Sequence, residues 1–150
     1  MYSIEDVKKL REATEMSIMD IKSALTESKG DFDQARAILK KRGAEISAKK
    51  SSREASEGVV ESYSHQGRIG VLVEVNSETD FVARNPEFKE LAHELALQIS
   101  AMNPTDVEDL LEQEYIRDGS QKVRDLLQQK ISKLGENIVI KRFIRFALGE

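Results

Sequence analysis

Apolar residues recur at helical spacing through the first 43 residues, and the pattern predicts three short helices. Ser17 and Asp31 are placed as N-caps of the second and third, and Gly43 is expected to end the third, since glycine favours the position after a helix. Helices this short are marginal alone, so residues 1–43 are expected to pack as a three-helix module. Ile4, Val7 and Leu10 are predicted to share one helical face and Ile18, Ile21 and Leu25 another, and the third helix is expected to carry Phe32, Ala35, Ile38 and Leu39 inward.

Residues 44–56 are rich in Ser, Ala and basic side chains and predict a connector, partly helical, at a domain boundary. Glu45 is the only acid between Arg36 and Arg53. Two interpretations are open, a solvated helical face or a nucleic-acid contact. The cations concerned are Arg36, Lys40, Lys41, Arg42, Lys49, Lys50 and Arg53.

The period changes to two in residues 57–150, which predicts strands. Residues 58–64 and 68–76 form a hairpin around Gln66-Gly67, and a last strand returns near the C-terminus. Ile69, Val71, Val73 and Val75 are expected to share one face of the second strand. The last strand is expected to present Ile138, Ile140, Ile144, Phe146 and Leu148 on one face, with Arg142 as its polar exception. An α+β fold follows, with a three-stranded antiparallel sheet packed with helices.

The helices between these strands are marked by caps. Asn85-Pro86 begins a long amphipathic helix that Asn103-Pro104 ends. Thr105 and Glu108 have capping-box spacing and predict a helix to about Tyr115, followed by a turn at 118–120. A final helix, closed by Gly135, carries Val123, Leu126, Leu127, Ile131 and Leu134.

Composition leaves little room for catalysis. The 150 residues carry a net charge of −4, no Cys and two His, and no phosphate-binding glycine motif or metal-spaced cluster is present. His65 is expected in a surface turn. His93 is expected on the long helix, at the boundary of its apolar stripe. No enzyme activity, cofactor or metal is predicted. The chain lacks a membrane-length apolar run, and Met1 leads directly into an amphipathic pattern, which favours a cytosolic protein without a signal peptide.

Two segments are candidates for protein binding. Asp80 and Phe81 form an acid–aromatic pair in the connection 77–85, where polar turn residues are expected. Phe81 either enters a partner or staples the strand to the next helix, and Asp80 can instead cap a turn. Met16, Ile18 and Met19 cluster where two helices join, and either interface or core packing explains them.

Several runs of the chain, in order, resemble the elongation factor Ts family, including its ubiquitin-associated-like N-terminal module. The runs are Val7-Lys8-Lys9-Leu10-Arg11, Met19-Asp20-Ile21-Lys22-Ser23-Ala24-Leu25, Gly67-Arg68-Ile69-Gly70-Val71-Leu72-Val73-Glu74, Thr79-Asp80-Phe81-Val82-Ala83-Arg84, Lys133-Leu134-Gly135-Glu136-Asn137-Ile138 and Phe143-Ile144-Arg145-Phe146. The resemblance implies guanine-nucleotide exchange on the translational GTPase elongation factor Tu, in a bacterial cytoplasm, without membrane or direct nucleic-acid binding.

The same resemblance implies roles for particular residues. The loop Thr79, Asp80, Phe81 and Val82 would displace the magnesium ion bound with GDP. Contacts with a helix of the GTPase domain would come from Lys8, Arg11, Ile18 and Met19, and further contacts from His65, Leu134 and Gly135. Short members of the family pair their cores, so a homodimer through the sheet region is expected.

The chain departs from the family pattern in two places. Glu15-Met16-Ser17-Ile18 stands where members carry a Gly-rich run, and the segment between Asn103-Pro104 and Asp118-Gly119 is short. Two alternatives remain beside exchange. A ubiquitin-associated-type adaptor explains residues 4–43 but leaves Thr79–Arg84 unexplained. A nucleic-acid-binding accessory protein explains the basic connector but conflicts with the negative net charge.

Overall fold

The N-terminal helices pack around a small apolar cluster. The computed structural model describes residues 2–150, beginning with α1 (Ile4–Thr14), α2 (Ile18–Glu27) and α3 (Phe32–Lys50). Ser3, Ser17 and Asp31 cap these helices, each accepting a bond from the backbone N–H three residues on. The cluster consists of Leu10, Met16, Ile21, Ala24, Leu25, Ala35 and Leu39. The three predicted helices are confirmed. On the predicted faces of α1 and α2, Leu10, Ile21 and Leu25 are buried, whereas Ile4 and Ile18 at the helix starts are exposed.

The remaining elements follow in a fixed order along the chain. They are β1 (Glu57–His65), β2 (Ile69–Ser77), α4 (Asp80–Ala83), α5 (Pro86–Met102), α6 (Val107–Glu112), β3 (Glu114–Tyr115), β4 (Asp118–Lys122), α7 (Val123–Leu134) and β5 (Ile138–Ala147). The sheet order β1-β2-β5 is antiparallel throughout, which confirms the predicted three-stranded sheet and the α+β class.

Helix α3 continues seven residues beyond Gly43 to Lys50, so the prediction that Gly43 ends it is wrong. Gly43 is buried where α3 packs on α7, and a methyl group there would lie 3.7 Å from the Ser132 hydroxyl oxygen. Glycine inside a helix costs about 1 kcal/mol. Packing against α7 offsets that cost, and the sequence pattern does not reveal this contact.

One face of the sheet carries the main core. Val71, Val73 and Val75 of β2 are buried against α5, as the alternation predicts. Asn85 caps α5 and Pro86 occupies its first turn, which confirms the predicted start, and Asn103 ends the helix in a left-handed conformation. Among residues 2–150, no helix combines the length and apolar character needed to cross a bilayer.

Strand β5 contains a bulge that changes which side chains face the core. Glu74 pairs with Arg142 and Val75 with Ile140, so Lys141 is an extra residue in the strand. Ile138 and Ile140 are therefore buried, whereas Ile144 and Phe146 are exposed on the opposite face. The prediction of a single apolar face from Ile138 to Leu148 is wrong, because one extra residue reverses the alternation beyond it.

The segment between α5 and α7 differs from its predicted form. Asp106, not Thr105, caps α6, and the helix ends at Glu112, before Tyr115. Asp118–Lys122 is a strand paired with Glu114–Tyr115, not a turn. The fully buried Gln98 of α5 explains the hairpin. Its side-chain amide donates to the Glu114 carbonyl at 3.0 Å, and its side-chain carbonyl accepts from the Ile116 N–H at 3.0 Å.

Candidate functional site

Phe81 projects into solvent from the one-turn helix α4. Its side chain is 86% exposed, whereas Ala83 on the same turn is buried and Val82 packs against the core. The interpretation that Phe81 staples the strand to the next helix is therefore wrong. An aromatic ring held in water by a structured turn is typical of a binding surface, because binding would bury its apolar area.

Thr79 caps the helix that carries Phe81. Its hydroxyl oxygen accepts from the Val82 N–H at 3.3 Å and donates to Glu136 at 2.7 Å. The Thr79 N–H donates to the other Glu136 oxygen at 3.0 Å, and Ser77 donates to the Thr79 carbonyl at 2.9 Å. Every polar group of Thr79 is thus engaged, and the loop has a defined shape before any partner arrives.

A second carboxylate, that of Glu78, also joins the loop at residues 78–79 to residues 136–137, with the donor and acceptor sides reversed. Glu78 accepts from the Asn137 N–H at 2.7 Å, so each segment supplies an acid to the backbone of the other. The connector also contacts the segment 135–137, through Lys50 and Arg53. Lys50 donates to the Gly135 carbonyl at 2.9 Å, and Asn137 donates to the Arg53 carbonyl at 2.8 Å.

Asp80 forms an ion pair with Arg84 one turn later on the exposed side of the loop. The hydrogen bond from Arg84 lowers the pKa of Asp80 and raises the pKa of Arg84. Because Thr79 caps α4, Asp80 is not its cap. Its carboxylate stays ionised at neutral pH and is accessible to another polar group.

Leu134 and Gly135 lie beside this loop because Glu136 follows them directly. Gly135 ends α7 with φ 78°, a conformation that glycine adopts without steric cost, and its carbonyl accepts the Lys50 bond described above. Gly135 is exposed and Leu134 is partly buried against the core. The structure thus brings two separately predicted contact segments, 79–82 and 134–135, to one end of the molecule.

Lys8 and Arg11 line a surface cleft between α1 and α7 together with Glu12, Glu15 and Lys133. Lys133 forms ion pairs with Glu15 at 3.4 Å and with Glu87, in the first turn of α5, at 2.6 Å. The cleft therefore lies next to the C-terminal end of α7, close to Leu134.

The apolar cluster at the join of α1 and α2 divides between core and surface. Met16 is buried, whereas Met19 is 83% exposed and Ile18 is 44% exposed. Core packing therefore explains Met16, and the two residues available for binding are the two that the resemblance selected.

His65 lies apart from the other candidates. It is paired with Ile69 at the hairpin end of β2, and the loop 79–82 follows Ser77 at the other end, about 27 Å away along the strand. His65 is exposed, as predicted, with the Tyr63 hydroxyl 2.8 Å from its Nδ1 atom.

Three of the seven basic residues between Arg36 and Arg53 form ion pairs within the chain. Arg42 pairs with Glu27 at 3.0 Å, Lys40 with Asp125 at 3.5 Å and Arg53 with Glu78 at 3.6 Å. For these three residues the contacts favour a structural role over binding of a nucleic-acid backbone, which requires free cationic groups.

No pattern in the sequence indicates a role for Glu136, Glu78 or Glu15. Glu136 belongs to a run that resembles the family, but its contact with Thr79 joins residues 57 positions apart. The one available signal is positional, since Glu78 directly follows β2 and Glu136 lies two residues after the end of α7. Periodicity alone cannot indicate such a pair.

Comparison with known proteins gives one consistent result. The family model described as Elongation factor TS matches residues 78–150. The protein named Elongation factor Ts from Alkaliphilus oremlandii is 44% identical over 189 aligned positions, which cover 96% of this chain and 88% of the relative. Its namesake from Rubrobacter xylanophilus is 44% identical, with coverage of 97% and 98%. A protein named Elongation factor Ts, chloroplastic, from Guillardia theta is 42% identical, with coverage of 99% and 89%.

The alignments also show a difference in length. Since 96% of 150 residues is about 144, some 45 of the 189 positions aligned with the Alkaliphilus protein have no counterpart here. This chain is therefore a shortened relative that keeps both ends of the aligned region.

Proposed function

The chain belongs to the elongation factor Ts family, and we propose that it promotes GDP release from elongation factor Tu by displacing magnesium through the loop Thr79–Val82. The observation that carries the mechanism is Phe81, exposed on a turn whose cap is held by Glu136. The chemistry makes and breaks no covalent bond, so the chain acts by binding.

The proposed mechanism depends on the electrostatics of a bound nucleotide. Magnesium neutralises phosphate charge and is coordinated by few protein groups, so a small displacement of those groups releases it. Phe81 would insert between elements of the GTPase domain and gain affinity from the apolar area it buries. Asp80 would exchange its Arg84 partner for polar groups of the GTPase near the ion.

Exchange also requires that the factor and GDP weaken each other's binding by the same factor. A thousandfold effect corresponds to about 4 kcal/mol of coupling. A few well-packed anchor residues supply energies of this size at protein interfaces. Phe81 is the first candidate, with Met19 and Ile18 next because they are exposed and apolar.

We place the remaining contacts on two surfaces. Lys8, Arg11, Ile18 and Met19 form the N-terminal surface, and Leu134 with Gly135 extends the loop surface. His65 would reach a separate part of the partner from the far end of the sheet. The proposed activity belongs to translation elongation, and we propose the bacterial cytoplasm as its location.

The first experiment is release of a fluorescent GDP analogue from elongation factor Tu, with wild type and Phe81→Ala. Because Phe81 is exposed, its truncation is expected to change the free energy of unfolding by less than about 0.5 kcal/mol. The acceleration of release is expected to fall at least tenfold. Met102→Ala is the matched control, because Met102 is an exposed apolar residue at the other end of α5.

The outcomes separate function from mechanism. Acceleration by wild type that survives Phe81→Ala would keep the exchange function and reject the insertion of Phe81. No acceleration by the folded wild type would reject exchange and favour the adaptor alternative.

We also propose that two copies pair through the outer face of the sheet. This face carries Val60, Leu72, Ile144 and Phe146, all exposed, beside a groove of about 270 Å³ whose lining includes Ser62, Ser64 and Gly70. In a two-fold dimer the same patch of both copies must complement itself. A patch that carries both large apolar side chains and a groove beside small residues can do so.

A further inference from the structure

We propose that Glu136 is a positioning residue for nucleotide exchange, fixing the loop that presents Phe81. This inference rests on the function proposed above, since it assigns Glu136 a role in that same reaction. Glu136 makes two hydrogen bonds to Thr79, at 2.7 and 3.0 Å, and Thr79 is the cap of α4.

The contact sets the direction of the Thr79 hydroxyl. A hydroxyl has one proton to donate, and an ionised carboxylate only accepts hydrogen bonds. The Thr79 proton therefore points to Glu136, which leaves the oxygen lone pairs for the Val82 N–H. Without Glu136 the hydroxyl can rotate and donate elsewhere, so the cap is no longer held in one geometry.

Helix α4 depends on such external bonds because it is only four residues long. A single helical turn does not persist in water on its own, since nucleation is unfavourable. Glu136 reaches α4 from beyond the end of α7, and Glu78 returns a bond to the Asn137 N–H. The two acids together tie the loop to the segment that joins α7 to β5.

Holding Phe81 in one position affects exchange through preorganisation. A side chain that must be ordered during binding loses affinity to conformational entropy, and a loop fixed in advance avoids that loss. Glu136 need not touch the GTPase for its loss to slow exchange.

The first test uses the free protein and needs no GTPase. Amide hydrogen exchange at Thr79 and Val82 is compared for wild type, Glu136→Ala and Glu136→Gln. Alanine is expected to speed exchange at both amides at least tenfold, and glutamine, which retains one acceptor, is expected to give an intermediate rate. Glu90→Ala, an exposed acid on α5, is the charge-matched control and should leave both rates unchanged.

The second test is a double-mutant cycle in the GDP-release assay. Glu136→Ala is expected to reduce kcat/KM about tenfold in wild type but only about threefold in Thr79→Val, because the hydroxyl through which it acts is already missing. An equal reduction in both backgrounds would mean that Glu136 contacts the GTPase directly, which overturns the positioning role.

The two proposals fail in different ways. Unchanged amide exchange in a folded Glu136→Ala protein shows that Glu136 does not hold the loop, whatever the GDP assay shows. Wild type that does not accelerate GDP release rejects the exchange function. It also rejects the role of Glu136 in exchange, even where the amide data confirm that Glu136 holds the loop. Should Glu136→Ala not fold, Glu136→Gln gives the same readouts.

Discussion

Glu15 shows how one residue joins the N-terminal helices to the core. It ends α1 with φ 57°, a left-handed conformation that costs a non-glycine residue roughly 1 kcal/mol. Its carboxylate accepts from Lys130 at 2.9 Å and lies 3.4 Å from Lys133. The ion pair with Lys130 thus accompanies a backbone conformation that is unfavourable for a residue other than glycine.

The pKa of Glu15 predicts how this contact responds to pH. Burial raises the pKa, but the hydrogen bond and charge of Lys130, with Lys133, outweigh it and lower the pKa below its ordinary value of 4.5. A lowered folded-state pKa stabilises the protein above the unfolded value and loses that effect as pH falls through the folded one. The groups facing Glu15 are Lys130 and Lys133 of α7, with Lys8, Arg11 and Glu12 along the cleft and Glu87 beyond Lys133.

We expect Glu15→Gln to lower the free energy of unfolding by about 1 to 2 kcal/mol at pH 7. The difference from wild type should shrink as the pH falls below 4.5, because the unfolded wild type then binds a proton at Glu15 before the folded protein does. Urea unfolding at pH 7 and at pH 3.5 measures both values. Glu5→Gln, which disrupts the solvent-exposed pair with Lys9, should have almost no effect at pH 7. A difference independent of pH would contradict the ion-pair explanation.

At the scale of elements, Gln98 determines the structure between α5 and α7. Its side chain is fully buried and bonds to Gln113, to the Glu114 carbonyl and to the Ile116 N–H. A short two-stranded hairpin is marginal in water, so these bonds hold it on α5 together with the buried Tyr115, whose hydroxyl donates to Glu94 of the same helix.

We predict that Gln98→Met destabilises the fold by about 2 to 3 kcal/mol, because buried polar groups of the hairpin lose their partners while the side-chain volume is nearly kept. Denaturant unfolding measures the loss, and faster amide exchange at Ile116 locates it in the hairpin. Gln34→Met, at an exposed position on α3, serves as the control. A change at Ile116 no larger than in this control would rule out the anchoring role.

At the scale of the whole molecule, the sheet has one face covered by helices and one face open. The bulge at Lys141 sends Ile144 and Phe146 to the open face, where Phe146 is 69% exposed. Exposed apolar patches of this kind mark interaction surfaces in soluble proteins. The loop with Phe81 lies at the end of the sheet, so pairing through the open face leaves it accessible.

Light scattering and sedimentation at micromolar concentration test this pairing. Wild type is expected to be a dimer, and Phe146→Glu a folded monomer, because two copies of the new charge would be buried together at a two-fold interface. Met102→Glu introduces the same charge at an exposed apolar position of α5 and should remain dimeric. A monomeric wild type would reject the dimer without affecting the exchange proposal.

Local residue patterns were sufficient to identify several of the helices and the central strand. Caps at Ser17, Asp31 and Asn85 and the alternation of β2 identified the helices and the central strand, because these patterns depend on residues a few positions apart. The resemblance to the family also rests on short runs of consecutive residues, and it selected Thr79–Val82. It selected Met19 as well, and Met19 is exposed in the structure.

Features that join distant segments of the chain depend on tertiary packing and could not be predicted. Gly43 stays helical because α3 packs on α7, and the open face of β5 follows from a bulge that no periodicity marks. Phe81 is exposed because its neighbours Val82 and Ala83 pack inward instead. Glu136 meets Thr79 through a hydrogen bond between residues 57 positions apart. Local patterns carry no information about which segments meet, because that choice depends on the summed burial and hydrogen bonding of the whole chain.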